Sequence, residues 1–182
     1  MTEQQVRFAR EKFRLTLTRG DSFSHYTAVL YLLLPAISIA AFKLYHTLKG
    51  HPATYNNTEI IITVIMLLAA FAIYLFQKRR LNFSWIETNL SHGVIVKIIN
   101  KVAVELNWSL QAVKDDYIVA MTKSPLLSES HGERVTIVFN GDKLLINILD
   151  VEYIWWSRSA TDINYLFAAI EQEQYLLDYP AM

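Results

Sequence analysis

Two long apolar segments without a single charged residue constrain this sequence more than any other feature. They are Tyr26–Phe42 and Ile60–Phe76, each 17 residues long. A helix crossing a bilayer core needs about 20 apolar residues, and 17 is the lower end of the usable range. Adjacent runs of this kind are rare in soluble domains, so the sequence predicts a transmembrane helical hairpin. Pro35 in the first run either bends that helix as a hinge or is simply tolerated, as prolines are in membrane helices.

Basic residues flank the two runs unevenly. Five precede the first run and Lys78-Arg79-Arg80 follows the second, whereas only Lys43 and Lys49 lie in or near the connecting loop. Loops rich in lysine and arginine stay on the cytoplasmic side. We therefore expect both termini to be cytoplasmic.

The first 25 residues form an N-terminal arm in which basic and apolar side chains alternate irregularly. Its basic members are Arg7, Arg10, Lys12, Arg14 and Arg19, and its apolar members are Val6, Phe8, Phe13, Leu15 and Leu17. One interpretation is that the arm lies along the anionic inner leaflet of the membrane. The other is a solvated lead-in that only sets topology.

Beyond the apolar runs, residues 81–182 have the patterns of a small α+β domain. Apolar residues recur every three or four positions over 89–107 and again over 161–177, which predicts two helices with Ile163, Leu166, Phe167, Ile170 and Leu177 as buried positions of the second. Between them lie four β-rich segments: 108–113, 117–122, 133–139 and 143–149. Asn140-Gly141-Asp142 is a strong hairpin signal. The predicted order is helix, four-stranded antiparallel sheet, helix, with both helices on one face.

The chain is thus divided into a basic arm (1–25), a transmembrane hairpin (26–77) and a cytosolic sensor or interaction domain (81–182). The cytosolic part carries seven basic and thirteen acidic side chains, a balance of −6, which argues against duplex nucleic acid as a partner. The chain has no cysteine, its five histidines are scattered, and its five glycines form no phosphate-binding loop. We expect no catalysis, no cofactor and no metal site.

Two segments of the cytosolic part have the composition of a ligand or partner surface. The loop 123–132 is rich in hydroxyls, and segment 153–159 places aromatic rings and an arginine before a helix, an arrangement that suits a nucleotide. The alternatives are a mobile filler loop and tryptophans that serve as core anchors or lie at the membrane interface. The ligand-binding residues that we predict are Lys97, Lys101, Lys123, His131, Arg134, Trp155, Trp156 and Arg158.

The layout of a hairpin at 26–77 followed by an α+β domain at 85–178 resembles the CRISPR-associated membrane effectors of type III immunity. These combine a two-helix membrane domain with a small cytosolic domain that binds cyclic tetra-adenylate. The resemblance implies a homo-oligomer, a tetramer, in which symmetry gathers the basic residues around a shared site. It further implies that the cyclic oligoadenylate rearranges the membrane helices and breaches the bacterial inner membrane. The competing interpretation is a membrane-anchored module that binds a protein partner and no small molecule.

Overall fold

The fold is given by a computed structural model that describes residues 1–50, 56–122, 132–150 and 159–179. Contacts between residues divide the chain into two compact units. The sheet unit comprises residues 1–17 and 80–182, and the hairpin unit comprises residues 18–79. The described helices are α1 (Glu3–Lys12), α2 (Arg19–Leu48), α3 (Asn57–Arg80), α4 (His92–Glu105) and α5 (Ser159–Asp178); the described strands are β1 (Ser84–Glu87), β2 (Trp108–Val113), β3 (Tyr117–Thr122), β4 (Glu133–Asn140) and β5 (Lys143–Asp150).

The hairpin unit consists of α2 and α3, which extend well beyond the two apolar runs. Both helices are long and apolar enough to cross a membrane. Small side chains let them approach closely, since Ala36 and Ala70 are among the few buried residues of the unit. At one end His25 Nε2 lies 2.9 Å from the carbonyl oxygen of Gln77. At the other end Lys43 forms a 2.9 Å ion pair with Glu59, so polar contacts fix the antiparallel register.

The described sheet has five antiparallel strands in the order β1-β5-β4-β3-β2. The predicted count of four was wrong, because the short strand β1 pairs with β5 through Ser84 opposite Ile146 and Glu87 opposite Lys143. The other strands form the predicted meander. Gly141 occupies the tight β4–β5 turn with φ +62°, a left-handed conformation that glycine adopts without strain.

The helices α4 and α5 cover one face of the sheet, as predicted. Their side chains form a core with alternate residues of the strands, including Ile99, Val102, Ile137, Ile146 and Leu166. Leu177 departs from the prediction: it is 60% exposed, because the contacts of α5 with the core end near Ile170. The last two turns of α5 therefore extend past the core.

The opposite face of the sheet is covered by the N-terminal residues. Val6 and Ala9 of α1, together with Leu15, are buried against the sheet residues Val138 and Leu145. α1 begins with a capping box, in which Thr2 and Gln5 bond each other's backbone N–H groups. Arg10 anchors its other end by donating to the carbonyl oxygen of Phe139 over 2.8 Å and by pairing with Asp116. These apolar side chains thus face the sheet, and neither interpretation of the arm anticipated this.

Gly132 directly precedes β4, and both its backbone conformation and its close contact with Thr122 disfavour any residue that has a Cβ atom. Its φ is +83°, and a Cβ atom at this position would lie 2.1 Å from the carbonyl oxygen of Thr122. The hydroxyl of Thr122 also accepts the backbone N–H of Glu133 over 2.8 Å. The close approach of these two strand ends requires a glycine.

Candidate functional site

The predicted ligand residues Lys97 and Lys101 lie on α4. They are one helical turn apart and exposed, because the apolar stripe of α4 that includes Ile95, Ile98 and Val102 faces the sheet. Both ammonium groups therefore lie on the outer surface of the helix layer. A solvated lysine pair of this kind attracts anions weakly and gives no fixed geometry.

Arg134 lies on the other side of the sheet. It is half-buried on β4, opposite Met121 and Leu149 in the strand register. Its neighbours Val135 and Ile137 belong to the core beneath α4 and α5, so Arg134 alternates onto the face that α1 covers. Within one chain, the sheet separates Arg134 from Lys97 and Lys101.

The remaining predicted site residues lie outside the described part of the chain. They are Lys123, His131, Trp155, Trp156 and Arg158. The predicted nucleotide platform before α5 and the long loop before β4 therefore stay predictions.

A different set of residues lines a cleft beside the edge of β5. β1 begins at Ser84, opposite Ile146, and β5 continues past this pair to Asp150 without a described partner strand on that side. The cleft has a volume of about 140 Å³, and its lining consists of Arg80, Asn82, Ser84, Ile146, Asn147, Ile148 and Ile163. It therefore combines four polar residues with three isoleucines.

Asn147 is the most buried of the four polar lining residues and is only 2% exposed. Its amide nitrogen Nδ2 donates to two backbone carbonyl oxygens, those of Arg80 and Asn82, each over 2.8 Å. Its Oδ1 atom is buried and accepts no hydrogen bond from the described residues. The Nη2 atom of Arg80 is also buried and donates no hydrogen bond to them. A buried polar atom left unpaired costs about 1–3 kcal/mol, so such atoms call for an explanation.

The carbonyl groups that Asn147 binds belong to a short clamp between the two chain segments that lead into the hairpin unit. The backbone N–H of Leu15 donates to Leu81 over 2.7 Å, and that of Phe83 donates to Phe13 over 2.9 Å. Arg14 and Asn82 form the antiparallel bridge between them. The segment before α2 and the segment after α3 are therefore fixed to each other and, through Asn147, to β5.

Two polar contacts position the α5 wall of the cleft. Trp108 of β2 donates its indole N–H to Asp162, next to Ile163, over 3.3 Å. The hydroxyl of Tyr165 donates to Glu105 of α4 over 2.6 Å. This hydrogen bond, reinforced by the negative charge of Glu105, raises the pKa of Tyr165 above its ordinary value.

Sequence reasoning assigned Arg80 to membrane topology and missed Asn147. The signal for Asn147 was an asparagine inside the apolar strand Leu144–Leu149, because a polar residue at such a position needs buried partners. Among the described residues, no three histidine, aspartate or glutamate side chains gather in a way that would hold a metal ion. No protein-family model matches the sequence, and no curated protein shows significant similarity to it. The resemblance to CRISPR-associated effectors therefore stays a prediction.

Proposed function

We propose that the chain is a membrane-anchored sensor of the bacterial inner membrane. Its hairpin unit spans the bilayer, and its sheet unit binds a cyclic oligoadenylate, cyclic tetra-adenylate, on the cytoplasmic side. The chain acts as a homo-oligomer, a tetramer, whose membrane helices perturb the bilayer when the ligand binds. The ligand acts by binding one arrangement of the helices more tightly than the other.

The exposure of the hairpin unit supports the membrane part of this proposal. Only 11% of the most apolar window of α2 and 6% of that of α3 are buried in the chain. Large side chains such as Leu34, Ile65 and Leu68 are more than half exposed. A helix in the core of a soluble protein buries such residues, whereas a membrane helix presents them to lipid.

The clamp between residues 13–15 and 81–83 is the observation that carries the sensor part. Because both connections to the hairpin unit are bonded to each other, a change in the sheet unit reaches both helices at once. Asn147 bonds the same connection from β5. Because residues 1–17 pack on the sheet, they and the sheet must lie on the same side of the membrane. A chain that crosses the membrane twice meets this requirement, because the second crossing returns it to the starting side.

A membrane-anchored interaction module is the second candidate, and the end of α5 favours it. Tyr175, Leu176, Leu177 and Tyr179 are 53–67% exposed. The acidic residues Glu171, Glu173 and Asp178 accompany them. An apolar and acidic surface of this kind suits a protein partner better than anionic lipid.

The test uses the full chain reconstituted in dye-loaded liposomes, because residues 1–17 complete the core of the sheet unit and a fragment 81–182 lacks them. We expect cyclic tetra-adenylate to bind, measured by calorimetry, and to release the dye. A linear tetra-adenylate is the control and should leave the dye inside. If cyclic tetra-adenylate does not bind to the folded chain, the sensor function is rejected and the membrane-anchored interaction module becomes the favoured function.

The predicted site residue Arg134 is tested in the same assay. Arg134→Ala should weaken binding about tenfold, the effect of losing a charged hydrogen bond. Lys114→Ala removes a positive charge from the β2–β3 turn and should have no effect. Equal affinities of the two variants would remove Arg134 from the site.

A further inference from the structure

Two polar contacts join α2 and α3, one near each end of their apolar segments. His25 Nε2 lies 2.9 Å from the carbonyl oxygen of Gln77, and Lys43 forms a 2.9 Å ion pair with Glu59. Eighteen positions separate the two contacts on α2, and eighteen also separate them on α3. Because a helix rises 1.5 Å per residue, the two contacts are about 27 Å apart along both helices.

The ion pair between Lys43 and Glu59 marks a level that lipid tails cannot cover. A lysine near a helix end usually extends its flexible stem to the headgroups. Here the ammonium group is held beside the carboxylate of Glu59, and only 16% of the lysine side chain is exposed. α3 begins only two positions before Glu59, and the first N–H groups of a helix need polar partners. The ion pair therefore lies at the level of the headgroups.

A tyrosine with a lysine over its ring lies near each of the two contacts. Lys78 Nζ is 5.8 Å from the ring centre of Tyr74, and Lys49 Nζ is 4.8 Å from that of Tyr45. Tyrosine is enriched where a membrane helix meets water. Between the two contacts neither helix has a charged residue, and large apolar side chains such as Phe71 are exposed. Each contact thus lies at one boundary of the lipid-facing surface.

We propose that this lipid-facing surface of the hairpin unit fits a bilayer whose hydrocarbon core is at most about 27 Å thick, thinner than the core of about 30 Å in a typical bilayer. A helix that is too long for a bilayer can tilt, but tilting does not help one that is too short. In a thicker bilayer the hairpin unit must therefore thin the lipid around it.

The inference rests on the proposed function, in which the hairpin unit spans the bilayer, and adds which bilayer it prefers. Local thinning is also a physical means by which a short hairpin perturbs a membrane. An oligomer would concentrate this thinning at one place, because each copy contributes two short helices.

The lipid side of the proposal is tested by tryptophan quenching with the full chain in brominated dioleoyl phosphatidylcholine. The hairpin unit has no tryptophan, so Phe71→Trp supplies a reporter at a position that is 59% exposed on α3. The unsubstituted chain gives the background of the other tryptophans. Unbrominated lipid that displaces the brominated lipid restores the fluorescence, which measures its relative affinity. We expect dierucoyl phosphatidylcholine, which forms a thicker core, to bind about threefold more weakly than dioleoyl phosphatidylcholine. Equal binding of the two lipids overturns the proposal.

The protein side is tested with two double variants at the same two positions. Lys43→Leu with Glu59→Leu removes the polar level and lengthens the apolar surface, so dierucoyl and dioleoyl lipid should bind about equally. Lys43→Glu with Glu59→Lys exchanges the two charges and is the matched control, which should keep the preference for dioleoyl lipid. Identical lipid preferences in the two variants would contradict the assignment of the ion pair as the limit of the hydrocarbon core.

The quenching experiment separates this inference from the proposed function. If brominated lipid quenches Phe71→Trp but both lipids bind equally, only the inference fails and the sensor function stands. If it quenches neither Phe71→Trp nor Ile37→Trp, a matched reporter that is 59% exposed on α2, the hairpin unit does not meet lipid tails and the membrane part of the proposed function fails too. Quenching of Ile37→Trp alone would mean that a second copy covers α3, which overturns the inference for that helix.

Discussion

Val6→Ala is expected to destabilise the sheet unit by about 2 kcal/mol relative to Val104→Ala. Val6 of α1 is 5% exposed and packs on the sheet, whereas Val104 of α4 is 78% exposed. Each buried methylene contributes about 0.8 kcal/mol, so the two carbons removed from Val6 account for about 1.6 kcal/mol, and a small cavity adds to that. Both substitutions replace valine by alanine within a helix, so the gain in helix propensity cancels in the comparison.

Hydrogen exchange of the full chain in nanodiscs measures this difference. Amides of β4 and β5 exchange only when the sheet unit opens, and 2 kcal/mol corresponds to about a 30-fold increase in the opening equilibrium. We therefore expect these amides to exchange about 30-fold faster in Val6→Ala than in Val104→Ala. If the N-terminal residues instead lie on the lipid surface or in solvent, the two variants will exchange at the same rate. That result would refute the packing of α1 on the sheet.

Two further predictions concern a backbone contact and the membrane topology. Gly132→Ala should destabilise the sheet unit far more than Gly141→Ala in the same exchange experiment, because the added Cβ meets backbone at 2.1 Å at Gly132 and nothing within 4 Å at Gly141. Gly141→Ala should lower the stability of the sheet unit only by the strain of a left-handed alanine, about 1–2 kcal/mol. Equal losses of stability in the two variants would contradict the close contact at Gly132. Because the chain has no cysteine, a single cysteine at Asn56 should react with a membrane-impermeant maleimide on intact cells and one at Asn100 only after lysis. The opposite pattern would reverse the expected orientation.

The parts of the fold that local patterns determine were predictable from the sequence. The β2 and β3 segments match the observed strands at both ends, and the helix predicted over 89–107 is observed as His92–Glu105. Asn140-Gly141 marked the β4–β5 turn because few other residue pairs adopt its backbone conformation. These features depend on residues close together in the sequence.

The parts that long-range contacts determine were missed. β1 has four residues, too few for an alternating pattern, and its partner β5 lies some 60 positions later in the sequence. α1 carries few apolar residues, and its burial depends on the sheet face that it covers. The near-continuous apolar runs of β4 and β5 were the available signal, because a strand that is apolar on both faces must be covered on both.

The candidate site was predicted from residue chemistry, and this approach favoured exposed cations. The structure places Lys97 and Lys101 on one side of the sheet unit and Arg134 on the other, whereas the cleft depends on Arg80 and Asn147. The part of β5 that has no described partner strand on this side is set by where its pairing with β1 stops. The pairing register of β1 with β5 depends on contacts between distant parts of the chain, so no local sequence pattern predicts it.

The packing of the N-terminal residues on the sheet has a consequence for the order of events during synthesis. Arg10 bonds Phe139, 129 residues later in the chain. At about 5–20 residues per second, the ribosome needs about 6–26 s to make that interval. The helices α2 and α3 are therefore made before the sheet face on which α1 packs. In the proposed membrane topology, the sheet unit closes after both membrane helices have been made, and its closing brings together the two segments on either side of the hairpin unit.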